Sequence, residues 1–240
     1  MKTLLINNLS KRYQPNLPLA IDDISIYAEE GEIVGLVGKN GAGKSTLIKS
    51  FTGIHSFDSG EIHVCGHDMS ISPIDVKKEI GYVPDVANLF EKMTGLEYIN
   101  FIANIFKVPL EKRQKNIDFL NGMIKLNEKI NNQISTYSHG MKQKIAIIAA
   151  LVHEPNLFVL DEPLTGLDPQ TVSVVKRLMA DVKSKNKTVI FSSHNLDVVE
   201  KICDRVYIIN NGKVVKEINL NELRTGNKSL EEYFIQNVMD

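Results

Sequence analysis

An α/β fold with a mostly parallel sheet is what this 240-residue sequence predicts, and three observations carry the prediction. Short apolar runs rich in β-branched residues alternate with stretches of helical period, the pattern of a parallel sheet covered by helices. A glycine-rich stretch, Gly38-Lys39-Asn40-Gly41-Ala42-Gly43-Lys44-Ser45-Thr46, lies directly between the run Ile33-Val34-Gly35-Leu36-Val37 and a helical pattern opening at Leu47-Ile48. A further run, Leu157-Phe158-Val159-Leu160, ends abruptly in Asp161-Glu162.

Taken along the chain, strands are predicted at Leu4 to Ile6, Ile24 to Tyr27 and Ile33 to Val37, with a helix beginning near Lys44 and a further strand from Ile62 to Cys65. Between Thr94 and Asn127 the pattern is helical throughout; Thr94-Gly95-Leu96-Glu97 fits a capping box that starts a first helix, and Pro109 separates it from a second. Ile145 to Val152 is apolar on every face, so the helix carrying it is buried. After the strand Leu157 to Leu160, the cap and proline Asp168-Pro169 open a helix with apolar positions at Val172, Val175, Leu178, Met179 and Val182. Strands return at Thr188 to Phe191 and Val206 to Ile209. Asn211-Gly212, flanked by Tyr207-Ile208-Ile209 and Val214-Val215, predicts a hairpin because both turn residues tolerate positive φ, which sets antiparallel strands beside the parallel core. Ser229-Leu230-Glu231-Glu232 is a second capping box, opening a short helix with an apolar face at the C-terminus.

Composition narrows the function. With 43% hydrophobic residues the chain fills a real core, and 240 residues leave little room for a second complete domain. The formal charge of −1, with both signs interspersed, gives no footprint for nucleic acid. Cys65 and Cys203 lie far apart without metal-ligand spacing, which suits a reducing compartment and core packing. The N-terminal apolar run is too short for a signal peptide, and the longest apolar run falls far below the ~20 residues of a membrane span, so any membrane contact is expected to go through a partner.

The glycine-rich stretch has the form G-x-x-x-x-G-K-S in the strand-to-helix setting of a P-loop NTPase core. Glycines let successive N–H groups approach an anion, and the helix N-terminus adds about half a positive charge. Lys44 supplies a point charge for the β- and γ-phosphates, and the Ser45 hydroxyl is a magnesium ligand. At the end of the acidic strand, Asp161 is placed to hold the ion, and Glu162 to orient and deprotonate an attacking water. Ser138 stands at the N-cap of the buried helix, where its hydroxyl and the N–H groups around Gly140 form a second anion-binding terminus. One triphosphate does not need two such termini from one polypeptide; two copies packed head to tail would give each nucleotide one from each.

Taken together, these motifs resemble the ATP-binding cassette (ABC) ATPases, the nucleotide-binding subunits of transporters, over nearly the whole chain. Gly38 to Thr46 matches the phosphate loop and the strand ending in Asp161-Glu162 the acidic strand. Tyr137 to Met141 occupies the place of the signature, usually Leu-Ser-Gly-Gly-Gln. Gly166-Leu167-Asp168 is similar to the D-loop, His194 to the switch histidine that meets the γ-phosphate, and Tyr13 to the aromatic that stacks on adenine, worth about 1–3 kcal/mol by analogy with base stacking. On local grounds alone Tyr13 also reads as a core tyrosine near a strand end. Two departures stand out: Asp85, after Gly81-Tyr82-Val83-Pro84, replaces a glutamine, and His139 and Met141 replace a glycine and a glutamine of the signature. Asp85 can bind magnesium but cannot donate a hydrogen bond while ionised.

The resemblance implies ATP and Mg2+ as ligands. The expected site comprises Tyr13, Gly38, Asn40, Gly41, Ala42, Gly43, Lys44, Ser45, Thr46, Ser138, Gly140 and Asp168 for the nucleotide, Ser45, Asp85 and Asp161 for the metal, and Lys44, Glu162 and His194 for catalysis. It also implies a nucleotide-binding core over 1–87 and 153–218, an inserted helical subdomain over 88–152 that includes the signature, and a C-terminal helical tail over 219–240 similar to that of bacterial exporter cassettes. The expected partners are an integral membrane permease, docked through Asp85, Phe90 and the helical stretch from Thr94 to Asn127, and a second copy of the chain or a related ATPase. The expected place is the cytoplasmic face of the membrane. Two other classes compete. A soluble cassette acting on ribosomes, DNA or a cluster scaffold usually carries paired cassettes, coiled coils or basic extensions, which this sequence lacks; a nucleotide sensor without turnover has no use for Glu162.

Overall fold

The computed structural model describes residues 1–225 and 229–238. In chain order it contains β1 (Lys2–Lys11), β2 (Ile21–Glu29), β3 (Ile33–Val37), α1 (Lys44–Phe51), β4 (Ser59–Val64), β5 (His67–Asp68), α2 (Pro73–Lys78), β6 (Ile80–Val83), α3 (Gly95–Ile105), α4 (Leu110–Ile124) and α5 (His139–Leu151). There follow β7 (Leu157–Leu160), α6 (Pro169–Ser184), β8 (Thr188–Ser193), α7 (Leu196–Ile202), β9 (Arg205–Asn210), β10 (Lys213–Asn219), α8 (Leu220–Thr225) and α9 (Leu230–Val238). The predicted tail over 219–240 is therefore seen in part, since 226–228 and 239–240 lie outside the described residues.

The central sheet has the order β10-β9-β3-β8-β7-β6, parallel except where β10 pairs with β9. Its inner strands β3, β7 and β8 are buried along their whole length, as continuous apolar runs in a parallel sheet must be when both faces are covered. Strand alternation divides those residues between two cores. Ile33, Val37, Phe158, Leu160, Val189 and Phe191 meet the helices α5 and α6, while Val34, Leu36, Leu157, Val159 and Ile190 pack with Leu47, Ile48 and Phe51 of α1. A second, antiparallel sheet of order β2-β1-β4-β5 closes this other face with Leu4, Ile6, Ile24, Ile26 and Ile62. Helix α1, which the phosphate loop feeds, is thus held between two sheets.

The helical insert forms as its caps and periodicity direct. Thr94 accepts from the Glu97 N–H at 3.2 Å, and Glu97 accepts from the Thr94 N–H at 2.8 Å, so the box that opens α3 is complete. Arg113 of α4 is buried and binds Asn104 Oδ1 at 2.7 Å, the Val108 carbonyl at 3.0 Å and Asn100 Oδ1 at 3.3 Å, which ties α4 to α3. Ile145 to Val152 is buried throughout, so α5 runs through the interior between the insert and the central sheet.

Several details differ from the sequence pattern. The predicted strand to Cys65 stops at Val64, because Cys65 turns to φ 49° and opens the tight connection to β5. Strand β6, only four residues long, pairs in parallel with β7 and ends at Pro84, which cannot continue a ladder. In α6 the buried face includes Thr171 and Val174, while Val172 is half-exposed. At the hairpin, Asn211 and Gly212 take φ 47° and 75°, as the two-residue turn requires.

Candidate functional site

The phosphate loop leaves β3 at Val37 and enters α1 at Lys44. Gly38 lies against the Ile209 carbonyl so closely that any Cβ would collide with it. Gly43 takes φ 109° at the helix N-cap, and a Cβ there would stand 2.7 Å from the Ala20 carbonyl. The loop is braced from outside: the Gly212 N–H of the β9–β10 turn donates to the Ala42 carbonyl at 2.9 Å, and the Gly212 carbonyl accepts from Asp22 N–H at 2.8 Å. Lys44 is 5% exposed and curls under the loop, donating to the Gly38 carbonyl at 2.8 Å and the Lys39 carbonyl at 3.3 Å. A lysine so placed reads as a charge aimed into the concavity that Asn40, Gly41, Ala42 and Gly43 surround. Thr46 faces outward to share a 3.1 Å hydrogen bond with the Tyr13 hydroxyl.

The acidic strand arrives beside this loop. Asp161, 2% exposed, accepts from Ser45 Oγ at 3.0 Å and from Ser192 Oγ at 2.7 Å, both on Oδ1. The chain then turns through Glu162 at φ 45°, in the left-handed region that a β-substituted residue avoids. Its carboxylate is divided between two neighbours. Oε2 lies 3.0 Å from His194 Nδ1, and Oε1 lies 3.4 Å from Lys44 Nζ. The second contact is an ion pair without hydrogen-bond geometry, so Oε1 is a buried acceptor left without a directed donor. Lys44, Ser45, Asp161, Glu162 and His194 therefore converge on one spot.

That spot fits a magnesium triphosphate. Ser45 and Asp161 offer two hard oxygens 3.0 Å apart beside the loop, the sparse set that suits Mg2+ when phosphate and water complete its shell. Among the described residues no group of three or more His, Cys, Asp or Glu side chains could hold a metal ion. Glu162 Oε1, which no directed hydrogen bond occupies, is a carboxylate acceptor beside the Lys44 ammonium.

The remaining predicted residues lie around this centre at different removes. Asp85 follows β6 on the chain segment after Pro84 and keeps contact with solvent, yet its carboxyl is raised above the usual range. Partial desolvation is the largest cause, followed by Asp161 and Glu162, while His139 and Lys49 oppose it. Tyr13 is 50% exposed, with His55 edge-on at 5.6 Å and the Lys11 ammonium over the ring at 5.9 Å from its centroid. Asp168 caps α6, accepting from Gln170 N–H and Thr171 N–H at 3.0 Å and from the Thr171 hydroxyl at 2.6 Å; these bonds, the hydroxyl first, hold its carboxyl low.

Ser138 caps α5, its hydroxyl accepting from Met141 N–H at 3.4 Å. At Gly140 the Leu167 side chain lies 3.9 Å from where a Cβ would stand, an ordinary contact. The partner of Ser138 within the chain is thus its own helix rather than the phosphate loop. Two contributors escaped the sequence reading. Ser192 hides inside an apolar strand, where a lone serine signals little, and Gly212 acts on the phosphate loop only because the sheet order brings the hairpin turn beside it.

Comparison with known proteins gives a consistent answer. A family model described as ABC transporter matches residues 21–165. The ABC transporter ATP-binding protein NatA of Bacillus subtilis (strain 168) is 30% identical over 235 residues, covering 97% of this chain and 96% of its own. A solved ATP-binding subunit of an ABC transporter superposes with a TM-score of 0.91 at 29% identity over 98% of both chains. The cassette MJ0796, solved as a dimer in a post-hydrolysis state bound to ADP and Pi, gives a TM-score of 0.81 at 26% identity over 90% of this chain and 98% of its own.

Proposed function

The chain belongs to the ABC transporter family as an ATP-binding, ATP-hydrolysing cassette, and on that premise we propose that it dimerises around ATP and drives export through a separate integral membrane permease. The observation that carries the proposal is the convergence of Lys44, Ser45, Asp161, Glu162 and His194 beside a glycine loop, with one Glu162 carboxylate oxygen that no directed hydrogen bond occupies.

In this reading the N–H groups of Asn40 to Thr46 and the Lys44 ammonium bind the β- and γ-phosphates, and the Tyr13 ring stacks on adenine. Mg2+ would be held by Ser45 Oγ and Asp161, with Asp85 near, and would neutralise charge on the transferred phosphoryl group. Glu162 takes a proton from water as that water attacks the γ-phosphorus and ADP leaves; His194, 3.0 Å from Glu162, fixes the carboxylate and faces the γ-phosphate. The signature terminus at Ser138 and Gly140 of one chain closes on the nucleotide held by the other, with Asp168 near the seam. Gly140 supports this, since a residue with no side chain of its own lets an anion approach the backbone N–H groups of that turn.

Phe90 packs edge-to-face on Tyr98 and Phe101 and is 54% exposed, and this aromatic face, with Asp85 and the stretch from Thr94 to Asn127, is the proposed permease dock. Among the described residues no helix is long and apolar enough to cross a membrane. Export rests on helix α9 at the C-terminus, and a cytoplasmic membrane-face location follows from the docking. The test is an ATPase assay on purified wild type and Glu162→Gln, with pull-down from detergent-solubilised membranes. The expected result is turnover down ~10²-fold or more in the variant with ATP binding kept, and a co-purifying integral membrane protein. Unchanged turnover overturns the assignment of Glu162.

A further inference from the structure

We infer that Ser192 is a positioning residue for hydrolysis: its buried hydroxyl clamps the Asp161–Glu162 corner in the turn that aims the Glu162 carboxylate at the attacking water. The inference rests on the proposed roles of Asp161 and Glu162.

The sheet register explains why this residue holds that corner. Strands β7 and β8 pair in parallel up to Leu160↔Phe191, and β7 then ends while β8 runs on to Ser193. Where the backbone ladder stops, a side chain takes over. Ser192 Oγ–H donates to Asp161 Oδ1 at 2.7 Å, and the same oxygen accepts from Glu162 N–H at 2.8 Å. The residue is fully buried, so no water can replace either bond. One hydroxyl thus fixes the carboxylate proposed for the metal and the backbone of the proposed base.

The second bond matters because Glu162 sits at φ 45°, a conformation that an L-residue holds only when its surroundings impose it. Release of Glu162 N–H would let the peptide relax out of the left-handed region and carry the carboxylate away from His194 Nδ1 and Lys44 Nζ. Asp161 Oδ1 would at the same time keep only the Ser45 hydroxyl. Ser192 touches neither water nor phosphate in this scheme; it acts through its two neighbours.

A buried serine of purely structural worth would lower stability and leave chemistry alone, so the test reads kcat, KM and coupling together. Ser192→Ala is expected to lose about 100-fold in kcat, the scale of a small misplacement of a reacting group, with KM for ATP within about threefold of wild type. Ser192→Thr, which keeps the hydroxyl, is expected to stay within about fivefold of the wild-type kcat. If Ser192→Ala does not fold, Ser192→Cys serves in its place, with a similar volume but a weak donor and acceptor, and the same direction of loss is expected. Combined with Glu162→Gln, loss of the hydroxyl is expected to cost nothing further, because both changes disable one unit. Ser192→Ala or Ser192→Cys with a kcat within twofold of wild type overturns the positioning role, as does a loss that multiplies in full on the Glu162→Gln background. An active Glu162→Gln defeats the assignment of Glu162 itself, whereas an inactive Glu162→Gln beside a fully active Ser192→Ala defeats the inference alone.

Discussion

His153 makes the fold's stability depend on pH in a way that one substitution isolates. Its imidazole lies just past α5, stacked on Phe106 at a centroid distance of 3.7 Å and an interplanar angle of 10°, with Nε2 3.2 Å from the Ile80 carbonyl of β6. The bond to a carbonyl places the proton on Nε2, and Nδ1 is buried without a partner. Burial is the largest influence and holds the group down to about 4, against 6.5 when unperturbed; the Ile80 bond opposes it and Lys187 adds to it. The unfolded chain therefore takes up a proton near pH 6.5 while the folded chain refuses it until about pH 4. Stability is complete above pH 6.5 and falls as pH drops through that window. From pH 8 to pH 5 the loss works out at about 2 kcal/mol, approaching about 3 kcal/mol by pH 4. Urea titrations of wild type and His153→Gln at pH 8 and pH 5 measure it. The difference between the two proteins should shrink or reverse by about 2 kcal/mol at the lower pH, since the other titrating groups are common to both. Parallel losses in both proteins would show that His153 is not held neutral by its burial against α3 and β6.

Further outcomes follow from the site. Lys44→Ala removes the buried ammonium beneath the loop, and isothermal calorimetry should show ATP affinity lost; wild-type binding would count against the phosphate-loop assignment. Asp85→Gln should keep measurable ATPase activity, because Asp161 and Ser45, the other oxygens proposed for the metal, stay in place, and a folded variant with none would make the acid itself essential. Asp168→Ala removes three hydrogen bonds at the N-cap of α6 and should lower the urea unfolding midpoint, and an unchanged midpoint would refute the capping role.

Much of this architecture is written in local signals, and the exceptions have physical causes. The strands β3, β7 and β8 are apolar runs whose period and length leave little choice, and Gly38 to Thr46 is a motif whose chemistry is its own sequence. The Thr94 and Asn211-Gly212 signals act within a few residues, so they survive whatever surrounds them. Strand β6 is harder to see because four residues, one a glycine, give too short a period, and only pairing with β7 makes it a strand. The same holds for the brace of Ala42 by Gly212 and the clamp of Asp161 by Ser192, which join positions 170 and 31 residues apart along the chain through sheet order alone. Val174 joins the buried face of α6 where Val172 does not, because neighbouring elements select which part of an apolar arc is covered. His153 carries no motif at all; its depressed titration arises from Phe106 and Ile80, which belong to other elements.

The central claim is that nucleotide is enclosed between the phosphate loop of one chain and the signature terminus of another. Multi-angle light scattering of Glu162→Gln with and without saturating ATP and Mg2+ tests it most directly. The account predicts the mass of two chains with nucleotide and of one chain without, and loss of the dimer when Ser138→Glu is added. A single-chain mass at saturating nucleotide, with ATP binding verified on the same sample, would contradict it.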